Sequence, residues 1–163
     1  MKGYIDNKVY TEQQGKQEAM AYCSKEERTQ KDVFEKLTKL GLNSQEADNV
    51  IAYLISESFI NETRYANLYC ISKFHQNKWG KTKIKFSLKQ KGLSNKCIED
   101  ALATIEDQEY CNVCLVTAKK KFASLKGNGD PLPIKRQKTA SFLAARGFEF
   151  NIINKILDNV CAK

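Results

Sequence analysis

Apolar residues recur along this chain at the three-to-four-residue spacing of α-helices. In the segment TQKDVFEKLTKL, residues 29–40, Val33, Leu37 and Leu40 fall on one helical face. Thr29 followed by Asp32 is typical of a capped helix start. Only two prolines and eight glycines occur in 163 residues, which argues against a turn-rich β-sandwich. The pattern therefore predicts an all-α protein.

One motif occurs three times, as Leu-x-x-x-Gly followed by Leu or Phe. Its glycines are Gly41, Gly92 and Gly147, spaced by 51 and 55 residues. Apolar residues follow six, nine and ten positions after each glycine, at Ala47, Val50, Ile51, Ile98, Ala101, Leu102, Ile153, Ile156 and Leu157. Glycine just after a helix suits the left-handed conformation that ends many helices. Each copy therefore predicts a helix, a turn and a second helix.

A further helical segment precedes each copy, which predicts a tandem array of three three-helix repeats. The expected boundaries are 12–60, 61–106 and 107–163, with a disordered or ragged N-terminus at 1–11. Expected caps for the second helix of the motif are Asn43 or Ser44, then Ser94, and the weaker Glu149. Gly80 is expected to open a helix and Pro133 to precede one, with residues 126–133, KGNGDPLP, as the clear loop.

Charge is distributed unevenly. The formal net charge is +8, with −2 on residues 1–71 and +10 on residues 72–147. Residues 73–96 alone contain eight lysines and no acidic residue. A polyanionic partner would therefore meet the middle and late parts of the chain.

The sequence predicts that Lys81, Lys85 and Lys89 form one stripe on a helix whose Ile84 and Leu88 face the core. This lysine stripe either binds anions or acidic protein surface, or is a solvated helix face. Trp79 either stacks on a base or packs between helices. Phe86 either meets another helix or is exposed. The residues predicted to bind a partner or nucleic acid are Lys78, Trp79, Lys81, Lys83, Lys85, Lys89, Lys91, Lys135, Arg136, Lys138 and Arg146.

Catalytic chemistry finds little support. The chain lacks a GxxxxGK[ST] loop, and its one histidine, His75, excludes multi-histidine metal sites. Cys111 and Cys114 have the CxxC spacing of a redox or zinc site, or are packing residues of a helix. No apolar run is long enough to span a membrane and no secretory signal is visible. We expect a cytoplasmic protein without a cofactor, a metal or an enzymatic activity.

Residues 55–102 carry a family resemblance. The run Phe59 to Ala66 has the form FI-x-[DE]-x-R[YF]A, a basic glycine-initiated helix follows, and Ser94 to Leu102 read S-x-x-x-I-x-x-AL. Arg-Gly-Phe then occurs at 146–148. In this order the chain resembles the RecX regulators of the RecA recombinase over about residues 15–160. One departure is that Asn61 and Glu62 stand where the family often has two acidic residues, which is expected to affect only a cap.

The resemblance implies an elongated, curved helical array that binds RecA filaments on DNA. It implies an inhibitor of ATP hydrolysis, strand exchange and co-protease activity, acting in DNA repair and the SOS response. It also implies weaker electrostatic binding to single- and double-stranded DNA, and a monomer. The alternative is a sequence-nonspecific DNA-binding protein with helix-turn-helix-like units; Gln90 is the basic helix's only side chain of the set used to read bases. An enzyme based on Cys111 and Cys114 is the third hypothesis.

Overall fold

The computed structural model describes residues 9–162, and this part of the chain is all-helical, without a β-strand. The predicted fold class is confirmed. The helices are α1 Glu12–Lys25, α2 Gln30–Lys39, α3 Ser44–Ser56, α4 Glu62–His75, α5 Lys81–Gln90, α6 Asn95–Leu102, α7 Asp107–Ser124, α8 Leu132–Ala145 and α9 Phe150–Cys161. None of these helices combines the length and the apolar character that a membrane crossing requires.

The repeated motif has the predicted local structure. Gly41, Gly92 and Gly147 have φ angles of +91°, +82° and +89°, the left-handed conformation expected at the ends of α2, α5 and α8. The nine apolar residues placed six, nine and ten positions after these glycines are all buried. The motif thus encodes three helix-turn-helix pairs, each burying the same face of its second helix.

Helix caps follow the predictions. Thr29 and Asp32 form a reciprocal capping box at α2, and Asn43 and Glu46 form another at α3. Ser94 accepts a hydrogen bond from the Cys97 N–H at α6, whereas α9, preceded by Glu149, has no side-chain cap. At α4 the Asn61 side chain accepts from the Arg64 N–H at 2.9 Å, so the family departure at this position supplies a cap.

Two local expectations need adjustment. Pro133 does not precede α8 but lies in its first turn, after Leu132. A proline is tolerated there because the first-turn N–H groups have no intrahelical partner. The expected loop at 126–133 contains a 3₁₀ turn, Lys126–Asn128. Of the expected ragged N-terminus, residues 1–8 lie outside the described residues, and the Tyr10 N–H donates to the Leu40 carbonyl at 3.1 Å.

The chain divides into two compact units. The first extends to Tyr65 and includes Lys91–Leu93; its core is formed by α1, α2 and α3 around Leu37, Val50 and Leu54. The second comprises Ala66–Gln90 and the chain from Ser94 onward, and its buried residues include Phe74, Ile84, Ile98, Leu143 and Leu157. The expected repeat boundaries at residues 60 and 106 fall in connections between helices, and the division into three repeats stays a prediction.

Candidate partner and nucleic-acid interface

Helix α5 carries the lysine stripe, and its orientation is fixed by packing. Ile84 and Leu88 are fully buried, as the helical wheel predicts. Phe86 is 61% exposed, so of the two predictions, contact with another helix or exposure, the second is correct. Within the stripe Lys89 is exposed, whereas Lys81 and Lys85 are half-buried. The side of the helix opposite Ile84 and Leu88 is formed by Thr82, Phe86 and Gln90.

The beginning of α5 is held by the turn between α8 and α9. The Gly80 N–H donates to the Arg146 carbonyl at 2.7 Å, and the Thr82 N–H donates to the Gly147 carbonyl at 3.1 Å. The intervening Lys81 N–H donates to the Tyr110 hydroxyl at 2.9 Å. Free N–H groups at a helix start are a common anion site. Here three successive donors are already used by the protein, so an anion would have to be bound by the lysine side chains.

Tyr110 connects this helix start to α9. Its hydroxyl accepts from Lys81 and donates to the Glu149 carboxylate. Burial, together with the hydrogen bond to Glu149, raises the pKa of Tyr110 far above the usual tyrosine value. Tyr110 therefore stays protonated and able to donate. Glu149, which does not cap its own helix, has this interaction instead.

Carboxylates from neighbouring helices neutralise part of the lysine stripe. The Lys81 Nζ lies 3.5 Å from Asp107 Oδ1, and Lys85 forms an ion pair with Glu99. Lys89 is exposed and has no ion pair among the described residues. The stripe therefore presents less free positive charge than the sequence suggests, with Lys89 as its available cation.

Trp79 is half-buried and lies between two lysines. The Lys83 and Lys73 Nζ atoms are 4.4 Å and 5.1 Å from its ring centroid, within cation–π range. A base stacking on Trp79 would compete with these ammonium groups. Lys78, the preceding residue, is exposed and has a φ of +56°.

Most of the other predicted site residues have partners within their own unit. In the second unit Arg136 pairs with Asp158 at 2.8 Å, and Lys138 pairs with Asp130 at 2.6 Å. Lys135 is half-buried on the same helix. In the first unit Lys91 pairs with Asp32 at 3.0 Å. These contacts give the side chains structural roles, and binding by any of the eleven predicted residues stays a prediction.

Arg146, at the end of α8, makes a hydrogen bond and a cation–π contact. Its Nη1 donates to the Asn77 carbonyl at 2.5 Å, and its guanidinium lies 4.7 Å from the Phe142 ring centroid.

Arg64, the arginine of the family motif, also contacts protein groups within its own unit. Its Nε pairs with Glu27 at 2.5 Å and its Nη2 donates to the Ser58 carbonyl at 3.1 Å.

The residues considered for catalysis show no catalytic arrangement. Cys114 is fully buried, and burial, reinforced by the neighbouring Cys111 and Glu149, raises the pKa of its thiol to about 12. A thiol with so high a pKa is a poor nucleophile and metal ligand at neutral pH. The exposed His75 has its Nδ1 3.6 Å from the Glu109 carboxylate. The positions of Cys114 and His75 fit packing and a surface contact.

Sequence reasoning missed a groove between α7 and α8. Two predicted residues, Lys78 and Arg146, line it together with Lys120, Lys121 and Phe142. From the sequence, the triple lysine at 119–121 either supports anion binding or is a favourable set of cations at a helix end. The available signal was the spacing of Val113, Val116 and Lys120, which places them along one helical face. In the structure Val113 is half-buried, and Val116 and Lys120 are exposed.

The fold and this surface define a class: an all-α protein of tandem helix-turn-helix pairs with a basic middle and late portion. Sequence profiles identify its family. The profile for the second three-helix domain of RecX matches residues 61–102, and the profile for the third three-helix domain of RecX matches residues 107–157.

Related proteins agree with these matches. The chain is 32% identical over 158 residues to the "Regulatory protein RecX" of Clostridium acetobutylicum, covering 95% of this chain and 71% of that protein. It is 26% identical to the protein of the same name from Clostridium tetani, covering 96% of this chain and 74% of that one. The chain belongs to the RecX family, as the sequence resemblance predicted.

Solved structures share the fold. The crystal structure of RecX from Lactobacillus salivarius superimposes with a TM-score of 0.84 at 27% identity, covering 93% of this chain and 97% of that chain. A second crystal structure, of a regulatory protein RecX, has a TM-score of 0.79 at 22% identity, covering 90% and 73%. The relatives' names support a regulatory role for the chain.

Proposed function

We propose that this chain regulates the RecA recombinase by binding RecA filaments on DNA. It acts as an inhibitor that limits filament ATP hydrolysis, strand exchange and co-protease activity, without catalysing a reaction itself. The observation that carries the proposal is the match to a named regulatory protein RecX over 95% of the chain. The excess of +10 on residues 72–147 supports a target that includes polyanionic DNA.

The contacts made by the chain would be individually weak. Lys78 and Lys89 are exposed cations that can approach phosphate, each as a single point contact. A filament presents the same protein and DNA surfaces repeatedly. A chain that engages several such surfaces at once gains affinity from the high effective concentration of the second contact. Regulation therefore requires no strong binding to free DNA.

The pairing of charges favours this proposal over a plain DNA-binding protein. Five of the eleven predicted site residues are ion-paired within their own unit: Lys81, Lys85, Lys91, Arg136 and Lys138. Binding to naked DNA depends on protein cations that neutralise phosphates and thereby release the counterions condensed on the DNA. Cations already neutralised by carboxylates contribute less to that release, which supports a target with a protein component.

The test is a comparison of two targets at physiological salt. A fluorescently labelled single-stranded oligonucleotide is used alone or coated with RecA and a non-hydrolysable ATP analogue, and unlabelled protein is titrated into each. We expect binding to the filament to be at least about tenfold tighter, which is 1.4 kcal/mol of preference. Equal affinity for the two targets would contradict the proposal and favour the DNA-binding alternative.

A further inference from the structure

A groove of about 550 Å³ follows the exposed side of α7 where α8 packs beside it. It lies wholly within the second unit. Its lining is formed by Lys78, Glu109, Asn112, Val113, Val116, Thr117, Lys120, Lys121, Ser124, Phe142 and Arg146. Apart from Lys78 and Arg146, the predicted site residues do not line it.

The groove has the length of a short helix. Its α7 residues run from Glu109 to Ser124 at three-to-four-residue spacing, so they form one continuous helical face. The fifteen steps from Glu109 to Ser124 rise 1.5 Å each, which makes this face about 22 Å long. A bound helix of roughly four turns, about 15 residues, would match it along its whole length.

The floor of the groove is apolar, and its hydroxyl groups are already used. Val113, Val116 and Phe142 supply apolar surface, and Val116 is 52% exposed. The Thr117 hydroxyl donates to the Val113 carbonyl at 2.7 Å, and the Ser124 hydroxyl donates to the Lys121 carbonyl at 2.6 Å. The floor therefore offers few free hydrogen-bond donors to a polar ligand, and it is better suited to binding apolar side chains.

The rim of the groove is basic. Four cations line it, at Lys78, Lys120, Lys121 and Arg146, against one carboxylate, Glu109. Within residues 9–162, none of these lysines has a carboxylate at ion-pair distance. The Glu109 carboxylate faces His75 at 3.6 Å. The excess positive charge at the rim calls for negative charge on whatever occupies the groove.

We propose that this groove binds an acidic amphipathic helix of a partner protein. Apolar side chains at i, i+3 or i+4 and i+7 of the bound helix would pack on Val113, Val116 and Phe142. Flanking Asp or Glu side chains would pair with Lys120, Lys121 and Arg146. The inference goes beyond the proposed function, because it assigns a peptide-binding site whose occupation needs neither a filament nor DNA.

Single-stranded nucleic acid suits the groove less well. Bases bind such surfaces by stacking on aromatic faces. Phe142 is the only aromatic side chain in the lining, and the Lys121 Nζ and Arg146 Cζ lie 5.1 Å and 4.7 Å from its ring centroid. A base stacking on Phe142 would have to displace one of these cations, whereas a helix can pair its carboxylates with them in place.

The test uses the full chain and a synthetic peptide of about 15 residues, with leucines at helical 3–4 spacing and glutamates beside them. Binding is measured by fluorescence anisotropy of the labelled peptide, with a scrambled peptide of equal composition as control. Two variant pairs isolate the groove. Val116→Asp is compared with Leu68→Asp, at a residue of similar exposure, 50%, that does not line the groove. Lys120→Glu is compared with Lys119→Glu, its exposed neighbour outside the lining.

We expect the amphipathic peptide to bind more tightly than the scrambled one. Val116→Asp should weaken binding about tenfold or more, since it places a carboxylate on the apolar floor. Lys120→Glu should weaken it about three- to tenfold, and the two control variants should change it less than about twofold. Circular dichroism confirms that each variant is folded.

Three results would overturn the inference. The first is equal binding of the two peptides. The second is an unchanged affinity of Val116→Asp for the amphipathic peptide while its helical signal is intact. The third is a competition result: a short oligothymidylate displaces the peptide, and the oligothymidylate binds Val116→Asp less tightly than Leu68→Asp. Together these two observations would assign the groove to nucleic acid.

Discussion

Gly80 and Gly147 approach each other so closely that Gly80 has no room for a side chain. A Cβ at Gly80 would lie 2.2 Å from both the carbonyl carbon and the carbonyl oxygen of Gly147. Gly147 is also confined, because a Cβ added to it would lie 2.3 Å from the Cβ of Lys83, in the first turn of α5. Backbone atoms cannot move aside as a flexible side chain can, so this contact places the beginning of α5 directly on the turn between α8 and α9.

The close approach predicts that Gly80→Ala destabilises the protein strongly. Overpacking against backbone should lower the free energy of unfolding by about 2 kcal/mol or more. Gly127→Ala is the matched control, because no atom lies within 4 Å of a Cβ at Gly127 and its φ is not left-handed. Urea unfolding followed by circular dichroism measures both variants. Equal stability of the two would show that α5 does not dock on this turn.

The pairing of the lysine stripe predicts unequal contributions to DNA binding. Lys89→Ala should reduce the salt slope of DNA binding by about 0.7–0.9, the value for one lost phosphate contact. Lys85→Ala should reduce it less, because Glu99 already neutralises Lys85. Glu99→Gln should tighten DNA binding by freeing that lysine. The triple change of Lys81, Lys85 and Lys89 to alanine should weaken both DNA binding and filament inhibition while sparing helicity.

Titrations of DNA binding against salt concentration measure these variants, with circular dichroism as the check on folding. A slope that is unchanged by Lys89→Ala would identify the stripe as a solvated helix face. Equal reductions by Lys85→Ala and Lys89→Ala would show instead that Glu99 does not neutralise Lys85. A solvated helix face was the second of the two interpretations that the sequence allowed for the lysine stripe.

The ion pair between Asp32 and Lys91 predicts a pH-dependent contribution to stability. Burial raises the pKa of Asp32, but hydrogen bonds from Thr29 and Lys91 outweigh it and leave the pKa below the usual value. The hydrogen bond to Asp32 raises the pKa of Lys91. Because Lys91 is partly exposed, Lys91→Ala should lower the free energy of unfolding by about 1 kcal/mol at neutral pH.

A lowered carboxyl pKa stabilises the fold above the unfolded-state value, about 3.9, and this contribution is lost as the pH falls through the folded value. A raised lysine pKa stabilises it below about 10.4, and this contribution is lost as the pH rises further. The stability difference between Lys91→Ala and the unaltered chain should therefore narrow below about pH 4 and above about pH 10. Lys89→Ala serves as the control, because Lys89 is exposed and no carboxylate of residues 9–162 forms an ion pair with it. A difference that stays constant from pH 3 to 9 would contradict the pairing.

The burial of Cys114 predicts that the CxxC spacing has no chemical role. At pH 8, iodoacetamide should alkylate the half-buried Cys111 much faster than Cys114, as mass spectrometry of peptides can show. The double variant Cys111→Ser with Cys114→Ala should keep its regulatory activity. It should lose about 1–2 kcal/mol of stability through the small cavity at Cys114. Loss of regulation in a well-folded double variant would restore the redox or metal interpretation.

The sequence predicts the helices and their caps well, because both depend on local chemistry. Thr29 with Asp32, and Gly41 at the end of α2, carry their structural meaning in a few neighbouring residues. The site is less predictable. The local pattern around Lys85 does not reveal its partner Glu99, which lies fourteen residues later. The local pattern around Lys91 likewise does not reveal its partner Asp32. Such pairings depend on how helices pack, and a helical wheel shows only which residues are outside.

The groove was missed for a related reason. Val113 and Val116 look like ordinary helix residues, and only the packing of α8 with Phe142 beside α7 makes them the floor of a concave surface. The close approach of Gly80 to Gly147 likewise joins residues far apart in sequence, although each glycine was notable by itself.

The central claim, regulation of RecA filaments, is tested most directly by titrating the protein into RecA that is hydrolysing ATP on single-stranded DNA. Binding to the same DNA without RecA is measured in parallel. The proposal predicts inhibition well below one protein per RecA, at concentrations where naked DNA is barely bound. Inhibition that appears only once the protein coats free DNA, or no inhibition at any ratio, would contradict it.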